Sequence, residues 1–224
     1  MTPLLTPQPP LRAIYFDVGE TLIDESTEYG AWADWLGVPR HTFSAVFGQV
    51  IARGQDYRQV FECLRPGFDL TVERRRRAEA GLGEHFNGHD LYPDVRDCLR
   101  TLRATGHFLG VVGNQTARAG GLLNELNLGV DLIATSDDWG VEKPSSAFFA
   151  ALIASAPCGP ESIAYVGDRL DNDILPALAA GLTTVFIRRG PWGHYCATQP
   201  EAKLAHLCID SLAELPEGLA TLAP

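Results

Sequence analysis

The spacing of apolar residues changes character twice along the chain. Residues 13–16, Ala-Ile-Tyr-Phe, form a continuous apolar run rich in aromatic and branched side chains. That is the pattern of a strand buried on both faces, and it stops abruptly at Asp17-Val18-Gly19-Glu20-Thr21-Leu22. Beyond residue 26 the spacing becomes helical. Trp32, Trp35 and Leu36, then Phe43, Val46, Phe47, Val50 and Ile51, then Tyr57, Val60, Phe61 and Leu64 predict three amphipathic helices in succession. Gly37-Val38-Pro39 and Arg65-Pro66-Gly67 punctuate them. A fourth helix is expected to start with Thr71 as N-cap and to run through Arg74, Arg75, Arg76 and Arg77. Four consecutive arginines wrap most of a helix, so the run as a whole should face water, with room for one to reach a site below.

From Tyr92-Pro93 onward, strands and helices alternate. Helices expected over 93–104, 116–126, 145–155 and 173–180 precede strands expected over 108–112, 131–134, 163–166 and 183–187. Continuous apolar strands separated by helices predict an α/β fold, a Rossmann-like and mainly parallel sheet covered on both faces. The core is expected over 11–23 and 91–224, with an all-helical insert over 24–90. Residues 1–10, with Pro3, Pro7, Pro9 and Pro10, read as a loose tail, because prolines cannot join a ladder.

Composition narrows the function. The chain has 224 residues, 46% hydrophobic and 21% charged, enough apolar mass for one large domain or a core with an inserted subdomain. A formal charge of -10 weighs against nucleic acid or an anionic membrane as partner, since both need a basic face. A small anionic substrate in a locally positive pocket stays compatible with it. The chain shows neither a membrane-spanning apolar run nor a basic segment followed by an apolar one at its start, so a soluble, cytoplasmic protein is expected. Cys63, Cys98, Cys158, Cys196 and Cys208 are scattered without a CxxC pair, as reduced thiols would be.

Each expected strand ends in polar residues. Asp17 and Thr21 follow the first, Gly113-Asn114 the second, Ser136-Asp137-Asp138 the third, and Gly167-Asp168, with Asp171 and Asp173, the fourth; Lys143 precedes Pro144 and a helix. Any one of these fits ordinary capping. Their recurrence at the carboxyl ends of parallel strands, where ligands bind in such sheets, is the signal.

In this order the residues resemble the haloacid dehalogenase-like (HAD) hydrolase superfamily. FDVGETL at 16–22 resembles the nucleophile motif, usually DxDGT, and VVGN at 111–114 the second motif, usually a Ser or Thr after an apolar strand. EKP at 142–144 is similar to the lysine motif, VGDRLDND at 166–173 to the acidic motif, and the insert has the position of the type-1 helical cap. The resemblance implies a hydrolase acting on a phosphorylated small molecule through an aspartyl-phosphate on Asp17. It implies magnesium bound by Asp17, Asp168 and the Gly19 carbonyl, with Asp173 and Thr21 behind these ligands. Lys143 would neutralise the nucleophile and a transferring oxygen, and Gly113 and Asn114 would stand at the phosphate. The physical reading agrees: a carboxylate attacks a phosphoryl group only if the repulsion of two anions is cancelled, and a divalent cation with an ammonium does that.

Two positions depart from the family pattern. Gly19 stands where the family's phosphatases carry the Asp that protonates the leaving oxygen, and Gly113 replaces the second-motif hydroxyl. Glu20 is one residue off and could substitute only if the loop turned it inward. A weakly active or inactive HAD-like protein that binds a phosphorylated ligand or a partner accounts for both glycines but not for Asp17, Lys143 and Asp168 together. Dehalogenase-type chemistry also dispenses with the acid, yet it has no need of the metal. Phosphonate cleavage through a cap lysine lacks its lysine, since 26–90 contains none. A response-regulator receiver shares the strand-end Asp and a Lys, but neither the insert nor an acidic cluster after the lysine. Trp192 is expected either to line the cleft or to pack under its Gly/Pro loop, and His41, His85 and His89 to be surface or core groups rather than metal ligands.

Overall fold

Apolar runs become strands here, and those in the middle of the sheet are buried on both faces in the computed structural model, which describes residues 10–222. The tail expected over 1–10 lies, apart from Pro10, outside the described residues. Two compact units divide the chain: one ends at Leu22 and resumes at Tyr92, and the other is Ile23–Leu91.

In the first unit, β1 (Ala13–Phe16), β2 (Phe108–Gly113), β3 (Leu132–Thr135), β4 (Ile163–Gly167), β5 (Thr183–Ile187) and β6 (Leu207–Ile209) form one sheet. Every pairing is parallel, and the strand order is β3-β2-β1-β4-β5-β6. All residues of β1, β4 and β5 are buried, alternate positions included, so the middle of the sheet is covered on both faces. One face packs Tyr15, Val112, Phe148, Phe149, Leu152, Ile163 and Tyr165 into a single apolar cluster.

Most helices follow the expected plan, with starts set by capping. Thr116 accepts from the Ala119 N–H at 3.1 Å and Ser145 from Phe148 at 3.3 Å, so the helices proper begin one residue after each cap. The segment expected as a helix over 173–180 is two pieces, a wide π turn at Leu170–Ile174 and a short helix at Leu175–Ala179. A helix at Gly190–Cys196, strand β6 and a last helix at Leu215–Leu222 were not expected. Their short, mixed runs carry no clear period.

The second unit holds four helices: α1 (Ser26–Leu36), α2 (Arg40–Ala52), α3 (Gln59–Leu64) and α4 (Leu70–Glu79). Trp32, Phe43, Phe61 and Phe68 form its aromatic centre, with Trp32 edge-on to Phe61 at 4.9 Å. The cap of α4 is Asp69, whose carboxylate accepts from the Val72 N–H at 3.0 Å, and not Thr71. Arg74, Arg75 and Arg76 are exposed as expected, while Arg77 is buried in its own unit. It donates to both Glu28 oxygens, at 2.7 and 3.3 Å, and lies 4.0 Å over Trp32. All five cysteines are free, and no helix among the described residues is long and apolar enough to cross a membrane.

Candidate active site

The sheet turns at β1, from which the chain runs out to β2 and β3 on one side and to β4, β5 and β6 on the other. A crevice forms at the carboxyl ends around such a switch point. Phe16 pairs with Val166, and the Asp17 N–H donates to the Val166 carbonyl at 2.9 Å, so Asp17 and Asp168 leave neighbouring strands side by side. Gly167 makes room for Asp173 to fold back, since a Cβ there would lie 2.6 Å from its carboxyl carbon.

Lys143 reaches into this cluster from the segment before α8 (Ser146–Ser155 in the fold, counting α5 at Val95–Ala104, α6 at Ala117–Glu125 and α7 at Ser136–Trp139). Its Nζ donates to Asp17 Oδ1 at 2.6 Å, to Asp173 Oδ1 at 2.6 Å and to the Tyr165 hydroxyl at 3.1 Å. Burial works against its charge, but Asp17 and then Asp173 outweigh that and hold its pKa well above the usual lysine value. The Asn114 carboxamide grips the Lys143 backbone at both ends, accepting from its N–H at 2.7 Å and donating to its carbonyl at 2.9 Å. The side chain of Asn114 is therefore committed to the lysine segment.

Asp17, Asp168 and Asp173 each offer an oxygen within 4.8 Å of the others, three buried carboxylates against one ammonium. The Oδ2 of Asp168 is fully buried with no hydrogen-bond partner. Burial, then the charges of Asp173, Asp17 and Glu20, push the Asp168 carboxyl well above its ordinary pKa. Burial also lifts Asp173, against the pull of Lys143, to about 6. An orphaned carboxylate oxygen among hard oxygen donors fits a small divalent cation such as magnesium.

A pH dependence follows. An acid whose pKa is raised by folding binds its proton more tightly in the native state, so stability falls as pH rises from its unfolded value through its folded one. For Asp173 that window runs from 3.8 to about 6, and Asp168, also raised well above its ordinary value, acts in the same direction. Metal-free protein should melt at progressively lower temperature as pH is raised from about 4 to 7. Magnesium should restore most of that loss near pH 7; thermal melts in EDTA and in magnesium across this range measure it.

Gly113 has a steric reason. A Cβ there would lie 2.8 Å from Asp17 Oδ1, the oxygen already bonded to Lys143. Gly113→Ser, although it supplies the family's hydroxyl, should therefore displace Asp17 and lower turnover by roughly tenfold or more. A steady-state assay on a good substrate checks it, and a gain in rate would contradict it.

Gly19 is partly exposed in the turn after Asp17. The left-handed position of that turn falls on Glu20, at φ 53°, an uncommon conformation for a side chain with a Cβ. The buried Glu20 carboxylate accepts from the Tyr92 hydroxyl and passes over Gly190, where a Cβ would meet its carboxyl carbon at 2.5 Å. Thr21 is fully buried with its hydroxyl unpaired, and its carbonyl accepts from Arg189 at 3.0 Å. Arg189 also pairs with Asp94 and lies 4.1 Å over Tyr92, holding the turn after Asp17 from the end of β5. Tyr165, Tyr92 and Arg189 were not anticipated from the sequence. Trp192 lies 4.0 Å under the guanidinium of Arg169, which forks onto Asp171 at 2.7 and 3.2 Å. His41, His85 and His89 are exposed.

Comparison with known proteins gives a consistent picture. A HAD-hydrolase-like family model matches residues 141–215. Over 203 residues the chain is 39% identical to glyceraldehyde 3-phosphate phosphatase of Methanopyrus kandleri, covering 81% of this chain and 86% of that one. It is 30% identical over 223 residues to phosphoglycolate phosphatase of Pseudomonas putida, covering 93% and 80%. Among solved structures, the magnesium-bound putative HAD-hydrolase YfnB of Bacillus subtilis matches with a TM-score of 0.70 at 20% identity, covering 94% of this chain and 99% of that one.

Proposed function

The chain belongs to the HAD hydrolase superfamily and is a phosphatase-like hydrolase of phosphorylated small molecules, and from that premise we propose that it works with magnesium through an aspartyl-phosphate on Asp17. The observation that carries the reading is the pairing of Asp17 with a buried ammonium beside a carboxylate oxygen, Asp168 Oδ2, that has no protein partner.

An Asp17 carboxylate oxygen forms a bond to phosphorus while the bond to the leaving oxygen breaks, the electron pair departing with that oxygen. Water then attacks phosphorus, releasing inorganic phosphate and restoring the carboxylate. Lys143 offsets the negative charge of Asp17 during approach. All three of its N–H groups are engaged, so it acts on the phosphoryl group by charge, or directly only by exchanging a partner. Asp17, Asp168 and the Gly19 carbonyl would hold magnesium, with Asp173 and Thr21 behind them; when bound, the cation draws charge from the phosphoryl oxygens. Gly19 offers no proton, so the leaving oxygen takes one from solvent.

The test is a screen of phosphorylated metabolites, including the substrates for which the two relatives are named, with magnesium or with EDTA. Wild-type protein should release phosphate only with the metal, and Asp17→Asn should be silent. Equal release by Asp17→Asn would overturn the reading.

A further inference from the structure

We propose that Tyr165 is a positioning residue whose hydroxyl fixes the ammonium of Lys143 for the reaction at Asp17; the reaction part rests on the phosphatase reading above. Tyr165 lies in the middle of β4, fully buried. Its ring belongs to the apolar cluster of the core, edge-on to Phe149 at 5.6 Å. Phenylalanine would fill that place, so the packing does not call for a hydroxyl, and a buried hydroxyl is unfavourable unless it is bonded. The partners it finds are at the candidate site: it accepts from Lys143 Nζ at 3.1 Å, and its own proton has two acceptors, the Val112 carbonyl at 3.4 Å and Asp173 Oδ1 at 3.5 Å.

An ammonium has three N–H groups, and Asp17 and Asp173 take two of them. Those two acceptors are not constant. Once Asp17 carries the phosphoryl group its carboxyl is neutral and the new negative charge lies on the phosphoryl oxygens, while Asp173 keeps its place, so the direction of the pull on the ammonium changes between the two states. The tyrosine hydroxyl is neutral throughout and stands on a ring locked by packing. It holds the third N–H in place in both states, which keeps the positive charge where the second displacement needs it.

The neighbouring strand supplies a control. Tyr15 pairs in register with Tyr165 and packs in the same cluster, but its hydroxyl meets Ser155 Oγ at 2.9 Å, away from the lysine. Tyr15→Phe removes a comparable buried hydroxyl without touching Lys143.

The chain has two lysines, Lys143 and the exposed Lys203, so protein labelled with [15N]lysine gives a two-signal ammonium spectrum. The Lys143 signal should exchange slowly with solvent in wild type. In Tyr165→Phe it should shift and exchange faster, and kcat should fall about tenfold, the scale of one hydrogen bond to a charged group, with KM within about twofold. Tyr15→Phe should keep both signal and kcat. A wild-type Lys143 signal exchanging as fast as that of Lys203 would overturn the proposal whether or not the variant folds. So would a Tyr165→Phe protein that matches Tyr15→Phe in signal and kcat, or one changed in KM alone. Absence of turnover in wild type would overturn the phosphatase reading, and the nitrogen spectra would still decide whether Tyr165 holds the ammonium.

Discussion

Lys143→Met should abolish turnover, to below about one part in a thousand of wild type, and should destabilise the metal-free protein by about 3–5 kcal/mol near pH 7. Methionine keeps most of the length of the side chain but removes the ammonium bonded to both Asp17 and Asp173. Breaking a buried ion pair from one side leaves the other charge without compensation, which is why the loss exceeds the net worth of the intact pair. Three signatures separate this from a packing defect. Stability should recover as pH is lowered toward 5, because the carboxylates then take up protons. Asp173→Asn added to Lys143→Met should recover part of the loss, as expected for coupled charges. Magnesium affinity should rise, since the cation no longer competes with an ammonium. Urea unfolding at pH 5 and pH 8, with a calorimetric magnesium titration, measures all three. Wild-type stability of Lys143→Met at pH 8 would contradict the argument.

How much of this was legible in the sequence depends on which dimension carries the information. β1 and β4 were legible because strands in the middle of a parallel sheet are buried on both faces, and an uninterrupted apolar run ending in Asp17 or Asp168 stands out in one dimension. Arg77 was not, since the four arginines look alike until the helix phase sets one of them against Glu28 and Trp32. Tyr165 reads as a core aromatic, and its ring is one; only the tip of the side chain belongs to the site. Asn114 is visible in the sequence as a polar residue after an apolar strand, but no spacing rule shows that its carboxamide is bonded to the backbone of a residue 29 positions away. Glu20 depended on the direction of one side chain, and its left-handed backbone turns that side chain to Tyr92. Such directions are fixed by tertiary contacts, which leave no periodic trace in a chain.

The direction of Glu20 bears on what Gly19 does to the rate. With no proton donor at position 19, charge on the leaving oxygen must be carried to solvent, and the barrier should depend steeply on the leaving group. Aryl phosphates, acyl phosphates and anhydrides should be cleaved roughly 10² to 10⁴ times faster than alkyl phosphates, the usual worth of general acid help, or about 3 to 5 kcal/mol of barrier. Gly19→Asp should then raise turnover of alkyl phosphates by roughly 10² while leaving aryl phosphates within a few-fold. The outcome depends on whether the turn accepts a side chain there. If it does not, the variant will misplace Asp17 and lose magnesium affinity together with all activity, so metal binding has to be measured beside the rates. Glu20 is not free to help without giving up Tyr92 and its place over Gly190. Should wild-type protein cleave alkyl and aryl phosphates at similar rates, another group is donating the proton. Glu20→Gln would then test the nearest candidate: a selective loss on alkyl phosphates assigns the proton to Glu20, and no selective loss excludes it.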